Sequence, residues 1–243
     1  MAYIETLFLW FAVYSIIGWI YETILCSIKQ KRFINRGFLN GPYCPIYGCG
    51  ALLDILLLGR ISNTVLLFLA AALLTGALEY FTSLTMEKLF HARWWDYSDK
   101  KFNINGRVYL TGVIAFGIFS LVLILFLHPA VSIHTAILPE TLRTTVAAIL
   151  FSILLIDTIY TIAKFSEFEK VLQEMKSRLS IPLISTKTRC ARKLTNLNGR
   201  IKMINSQVCR MILSFPKLKS IHFEEELKKL RELIQSGRNG NTF

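Results

Sequence analysis

A chain of 243 residues that is 53% hydrophobic, with a mean hydropathy of +0.46, is too apolar for an ordinary soluble domain. Its formal charge of +12 is uneven: residues 164–243 hold 17 of the 28 Lys and Arg and 7 of the 16 Asp and Glu, so the first 163 residues are nearly neutral. The basic part carries no nucleic-acid motif, and beside apolar helices it reads as a cytoplasmic anchor facing anionic lipid headgroups, with no nucleic-acid partner.

The first apolar stretch, 4–28, can cross a bilayer, since a spanning helix needs about 20 mostly apolar residues. It has no positive n-region before it and no small-residue cleavage site after it, so it is expected to be a retained membrane helix. Stretch two, 46–59, is short: about 14 residues give about 21 Å of helix against a hydrocarbon core of about 30 Å. Stretches three (64–89), four (108–128) and five (142–163) all qualify. The connection after stretch one carries Lys29, Lys31, Arg32 and Arg36, and that after stretch three carries Lys88, Arg93, Lys100, Lys101 and Arg107. The other two connections carry only Arg60 and Arg143. By the positive-inside rule this alternation favours five spans over a re-entrant stretch two, with the N-terminus outside and the tail in the cytoplasm. The expected fold is therefore an all-α polytopic bundle of about five transmembrane helices at 1–163, followed by a basic helical tail at 164–243.

In the tail, apolar residues recur at heptad-like spacing through 165–179, 194–215 and 223–234, ending before Pro182, Pro216 and Gly237. Such stripes fit either a small self-contained helical bundle or a surface for homo- or hetero-oligomers. Cys26, Cys44, Cys49, Cys190 and Cys209 are odd in number and lack zinc spacing, so they read as reduced apolar fillers.

Four acidic residues fall inside apolar stretches: Glu22, Asp54, Glu79 and Asp157. A carboxylate at the bilayer centre costs about 2.5–3.5 kcal/mol on insertion scales, so each is expected to face protein, pair or protonate. Glu22 shares a stripe with Ser15, Gly18 and Trp19. Glu79 shares one with Thr75, Gly76 and Ser83, with Glu87 a turn further on. Small residues on both stripes allow close helix approach. Glu22, Glu79 and Glu87 are the candidates for a polar cavity, with Arg36 and Arg107 as partners for Glu22 and Glu79. Asp54 and Asp157 each stand alone and rank lower, so Glu22→Gln or Glu79→Gln is expected to impair function more than Asp54→Asn.

Two connections carry motifs. The first runs N-R-G-F-L-N-G-P-Y-C-P-I-Y-G from 35 to 48, and Asn35, Arg36, Gly37, Asn40, Gly41 and Tyr47 are its candidate residues. Its glycines exclude helix before Pro45, which suits the first turn of stretch two. Backbone N–H groups around Gly37 and Gly41 can cradle an anion or fold into a rigid turn. The second connection holds Trp94, Trp95, Asp96, Tyr97, Asn105 and Arg107. Its aromatics suit the headgroup interface, and Asn105-Gly106 reads as a turn. Trp95, Asp96, Tyr97, Asn105 and Arg107 are its candidate functional residues. No catalytic constellation, P-loop or metal-ligand spacing is recognisable, and no cofactor is expected.

Together G-W-I-Y-E (18–22), the 35–48 run, L-E-Y-F-T-S (78–83), M-E-K-L-F (86–90) and W-W-D-Y-S with N-I-N-G-R (94–107) resemble the putative ABC-transporter type IV membrane proteins of bacteria, over roughly residues 3–165. The resemblance implies a polytopic bacterial membrane protein, a permease or permease subunit of unspecified substrate. Without a nucleotide-binding motif in this chain, ATP-driven transport implies a separate ATPase subunit. Two alternatives remain beside the permease. One is a membrane-embedded enzyme acting at lipid headgroups, using the carboxylates as acid, base or Mg²⁺ ligands. The other is a non-catalytic scaffold or regulator whose tail binds a partner.

Overall fold

The computed structural model describes residues 2–179 and 206–239. Its main elements are α1 (Ala2–Gln30), α2 (Pro45–Leu53), α3 (Thr64–Phe90), α4 (Leu110–Val122), α5 (His128–Ile137), α6 (Glu140–Leu179), α7 (Ser206–Ser214) and α8 (Glu224–Asn239). A π-helical turn, Asp54–Leu58, extends α2, and a second one, Leu123–Leu127, joins α4 to α5. Four helical stretches are long and apolar enough to cross a membrane: Tyr3–Gln30, Thr64–Phe90, Leu110–Ile137 and Glu140–Phe165. The chain is thus an all-α membrane helix bundle.

The fifth apolar helix, Pro45–Leu58, is shorter than these four. It packs along α1 and touches α3. Pro45 stands in its first turn, where a missing N–H costs nothing. Close approach to α1 comes from glycines. A Cβ on Gly18 would lie 2.2 Å from the Tyr47 ring, and one on Gly48 would lie 2.5 Å from the Phe11 carbonyl oxygen. Helix α3 begins with the Asn63 side chain accepting from the Leu66 N–H at 3.0 Å, which satisfies one orphan donor of the first turn.

The outer surface of the bundle is apolar. Leu66, Leu73, Phe81, Phe126 and Ile156 are each more than half exposed, a surface that suits hydrocarbon rather than water.

Following the chain from helix to helix, the connections 31–44 and 91–109 and the tail all fall at the same end of the bundle. The second connection is built on two short ladders. Asn103–Ile104 pairs antiparallel with Val108–Tyr109 around a turn in which Asn105 (φ 52°) and Gly106 (φ 66°) are both left-handed. Ala92–Arg93 pairs with Lys219–Ser220 of the tail.

That pairing fixes the tail. Met211, Ile212, Phe215, Leu218, Leu227 and Leu230 are buried in one core with Phe165 and Leu172 of α6 and with Ala92 and Trp94 of the connection. The described tail thus covers its own apolar stripes with this chain; the stretch predicted from 194 to 205 lies outside the described residues, as does Cys190. Trp94 differs from its interfacial expectation, being only 2% exposed and packed edge-to-face with Phe38 and Phe215 and tilted against Phe165. Helix α6 runs unbroken through the composition change at 164.

Candidate functional site

The first connection is organised by a single carboxylate. Asp157, on α6, accepts from the Asn40 main-chain N–H (3.2 Å) and side-chain amide (2.8 Å), the Gly41 N–H (2.8 Å) and the Tyr43 hydroxyl (2.5 Å). The Thr161 hydroxyl, one turn on, adds a fifth donor at 3.2 Å. The backbone groups that the sequence offered to an anion are therefore taken by the chain's own Asp157. Burial, with the bond to Asp157, raises the Tyr43 phenol above its ordinary value and keeps it a donor. Asn35 completes the turn: its Oδ1 accepts from Trp19 Nε1 (2.7 Å) and the Gly37 N–H (3.2 Å), and its amide donates to the Asn40 carbonyl (3.0 Å).

A second group centres on Glu22. The Tyr47 hydroxyl donates to Glu22 at 2.7 Å, and Arg36 Nε lies 3.7 Å from the same carboxylate. Arg36 also donates to the main-chain carbonyl of Ser214 and covers the Phe215 ring at 4.3 Å, which ties the first connection to the tail. Arg210 strengthens the tie by donating to the carbonyls of Gly37 (2.9 Å) and Phe38 (3.2 Å).

The third group belongs to the second connection. Arg107 donates to Glu87 at 3.0 Å and to the Ser83 hydroxyl at 3.2 Å, and Arg93 donates to Glu87 at 2.7 Å. Arg107 thus pairs with Glu87, about two turns beyond Glu79 on the same stripe. Trp95 Nε1 donates to the Arg107 carbonyl at 3.0 Å, and the Asn105 amide to the Tyr80 hydroxyl at 3.0 Å. Asp96 accepts from the Ser98 N–H and hydroxyl and from Lys219 of the tail. Burial works against its charge, but the Lys219 and Ser98 bonds outweigh it and hold the carboxyl well below the usual range.

Below these groups, a cavity of about 240 Å³ opens between α1, α2, α3 and α4. Glu79 lines it; Glu22 and Glu87 do not, although Tyr47, which holds Glu22, does. Asp54, at the start of the first π-helical turn, also lines it. Asp54 accepts from the Ser120 hydroxyl of α4 at 2.5 Å through Oδ2, while its Oδ1 is buried without a partner among the described residues. Glu79 faces the Tyr97 hydroxyl, and its Oε2 is likewise buried without a partner among the described residues. The two residues are 2% and 6% exposed. Tyr97 ties the second connection to the cavity: burial first, and then the Glu79 charge, raise its phenol above the ordinary value and keep it protonated.

Asp157, Tyr43 and Asp54 carry more of this arrangement than the sequence suggested. Two of the five donors on Asp157 are backbone groups, which have no sequence signature, and the Asn40 and Tyr43 side chains lie more than a hundred positions away in the chain. Asp54 looks isolated because its partner, Ser120, is distant in the chain. An isolated acidic residue in each of two apolar helices was the available signal.

Fold and site define a polytopic membrane protein with an acidic, aromatic-lined cavity beneath a layer of interlocked connections. The chain belongs to the family described as Putative ABC-transporter type IV, which matches residues 9–162, in agreement with the resemblance carried by the motif runs. No curated protein and no solved structure matches it.

Proposed function

We propose that the protein is a permease, or the permease subunit of a transporter, and that the cavity between α1, α2, α3 and α4 is its solute site. The observation that carries this reading is the pair of buried, unpartnered carboxylate oxygens, Asp54 Oδ1 and Glu79 Oε2, on the wall of a cavity at membrane depth. Ionisable groups at that depth are costly, and a substrate pathway is the commonest reason to keep them. Membership of a family described as ABC-transporter type IV supports the same reading.

In this reading the N-terminus lies outside and the tail lies in the cytoplasm, next to anionic lipid. The Lys- and Arg-rich connections support that orientation. A separate ATPase subunit docks on the face made by the two connections and the tail, because the chain carries no P-loop of its own.

The test is transport by the purified full-length chain in liposomes, with and without the candidate ATPase, against a panel of radiolabelled solutes. Uptake of at least one solute, lost in Asp54→Asn and Glu79→Gln variants that stay folded, is the expected result. A chain that moves none of them under either condition overturns the reading.

A further inference from the structure

We infer that the cavity binds the cationic head of an amphiphilic ammonium compound, whose apolar tail lies in the seam between α1 and α4 and reaches the bilayer. The inference rests on the transport reading for its purpose, but the binding it describes is measurable without transport.

Charge comes first. The other acidic side chains of this region, Glu22 and Glu87, have arginines against them. None of the described residues that line the cavity is Lys, Arg or His, yet Asp54 and Glu79 in its wall each keep a buried carboxylate oxygen with no partner among the described residues. An ionised buried carboxylate is strongly unfavourable without a cation beside it, so a cationic ligand is the natural complement of the charged form.

Size and walls then choose among cations. A water needs only about 10–15 Å³ by a comparable measure, so about 240 Å³ is far larger than a bare ion fills. Divalent metals want six or more oxygen ligands, or a cluster of His, Cys and carboxylates. Among the described residues no group of three or more such side chains converges. The walls are instead aromatic: Tyr14, Tyr21, Tyr47, Phe116 and Phe119. The hydroxyls of Tyr14 and Tyr47 are engaged by His128 and Glu22, so these two offer the cavity mainly ring surface. Aromatic rings beside carboxylates are the chemistry that recognises ammonium groups, quaternary ones included.

The route in follows from exposure. Ile17 and Tyr21 of α1 and Phe119 and Val122 of α4 line the cavity, and each is 36–48% exposed. Exposed lining side chains on these two helices place the opening between them. The Tyr21 and Phe119 rings meet across it with centroids 5.0 Å apart. At this depth the outside is lipid, so the opening suits a ligand with an apolar tail.

The experiment measures equilibrium binding of radiolabelled octyltrimethylammonium to the full-length chain in phosphatidylcholine nanodiscs, with empty nanodiscs subtracted. Saturable binding is expected, weakened at least about tenfold in Asp54→Asn/Glu79→Gln, the loss of a charge-assisted contact. Tyr21→Leu/Phe119→Leu, which keeps both carboxylates, is expected to weaken it as well. Octanol, with the same tail and no charge, is expected not to compete. Variants are compared only where size exclusion and thermal midpoint match the parent.

No saturable binding, unchanged binding in both variants, or displacement by sodium as effective as by tetramethylammonium overturns the inference. Binding without transport of any solute removes the permease reading and leaves this site standing. Transport of other solutes without octyltrimethylammonium binding does the reverse.

Discussion

At the scale of single residues, the carboxylates divide by what surrounds them. Asp157 is an internal anion for a turn that has surplus donors. Replacing it with Asn keeps the shape but removes the charge that the Asn40 and Gly41 N–H groups and Tyr43 share. Breaking such a buried, charge-assisted set costs about 2–4 kcal/mol. Asp157→Asn is expected to lower the melting midpoint of the detergent-solubilised protein clearly, and Tyr43→Phe, which loses one bond, by less than half as much. Equal midpoints for Asp157→Asn and the parent would show that the turn holds without it. Asp96 differs in that its partner is on the tail. Its folded carboxyl is depressed, so it binds protons less readily than in the unfolded chain, and its contribution is complete above the unfolded value of about 3.9. It declines as pH falls below about 4 and is gone only once the depressed folded value has been passed. Protease sensitivity of the tail is therefore expected to be flat from pH 7 to about 4.5 and to rise below about 4. In Asp96→Asn it should be high throughout. These residues also show where sequence reading stops. The Glu79–Ser83–Glu87 stripe is legible from helical spacing, but which of its turns Arg107 reaches is set by the Asn105-Gly106 turn, whose three-dimensional path spacing does not encode.

Among the elements, α2 is the one on which the site depends. It carries Tyr47 to Glu22 and leads into the turn that places Asp54 against Ser120. Its glycines are not equivalent. A Cβ on Gly48 would meet the Ser15 hydroxyl oxygen at 2.3 Å and the Phe11 carbonyl oxygen at 2.5 Å, and a helix backbone cannot step aside locally. A Cβ on Gly50 would meet only the Leu78 Cδ2 atom, at 3.4 Å, an ordinary contact. Gly48→Ala is expected to destabilise by about 1–3 kcal/mol through forced separation of α1 and α2. Gly50→Ala is expected to be neutral or to stabilise by up to about 1 kcal/mol, since alanine orders a helix at lower entropic cost than glycine. Thermal midpoints of the two variants, measured side by side, decide this; a larger loss at Gly50 would contradict the packing. Hydropathy and length reveal this element and the four longer ones, because lipid exposure demands apolar runs whatever their partners. The two π-helical turns are invisible at that level, since the same apolar residues fit α- and π-geometry equally well.

At the scale of the whole molecule, the two connections and the tail form one layer. Arg36, Arg210 and Lys219 reach across its joints, and α6 passes straight from the bundle into it. In the proposed arrangement the break in composition at 164 marks a change of solvent along one helix: lipid before it, and afterwards water and the chain's own connections. Sequence separates the two materials but not their interlock, which depends on Trp94 leaving the interface for a core that residues more than a hundred positions later supply. Because the layer lies wholly at one end, a single labelling experiment orients everything in it. Lys100 is exposed in the layer, and Arg60 is exposed in the turn at the opposite end of α2. With the five native cysteines replaced, Lys100→Cys is expected to resist a membrane-impermeant maleimide in intact cells and to react after permeabilisation. Arg60→Cys is expected to react in intact cells, which shows that the reagent reaches the membrane. The reverse pattern would place the basic layer outside, against the charge distribution, and would remove the face proposed for an ATPase while leaving the cavity and its two carboxylates unchanged.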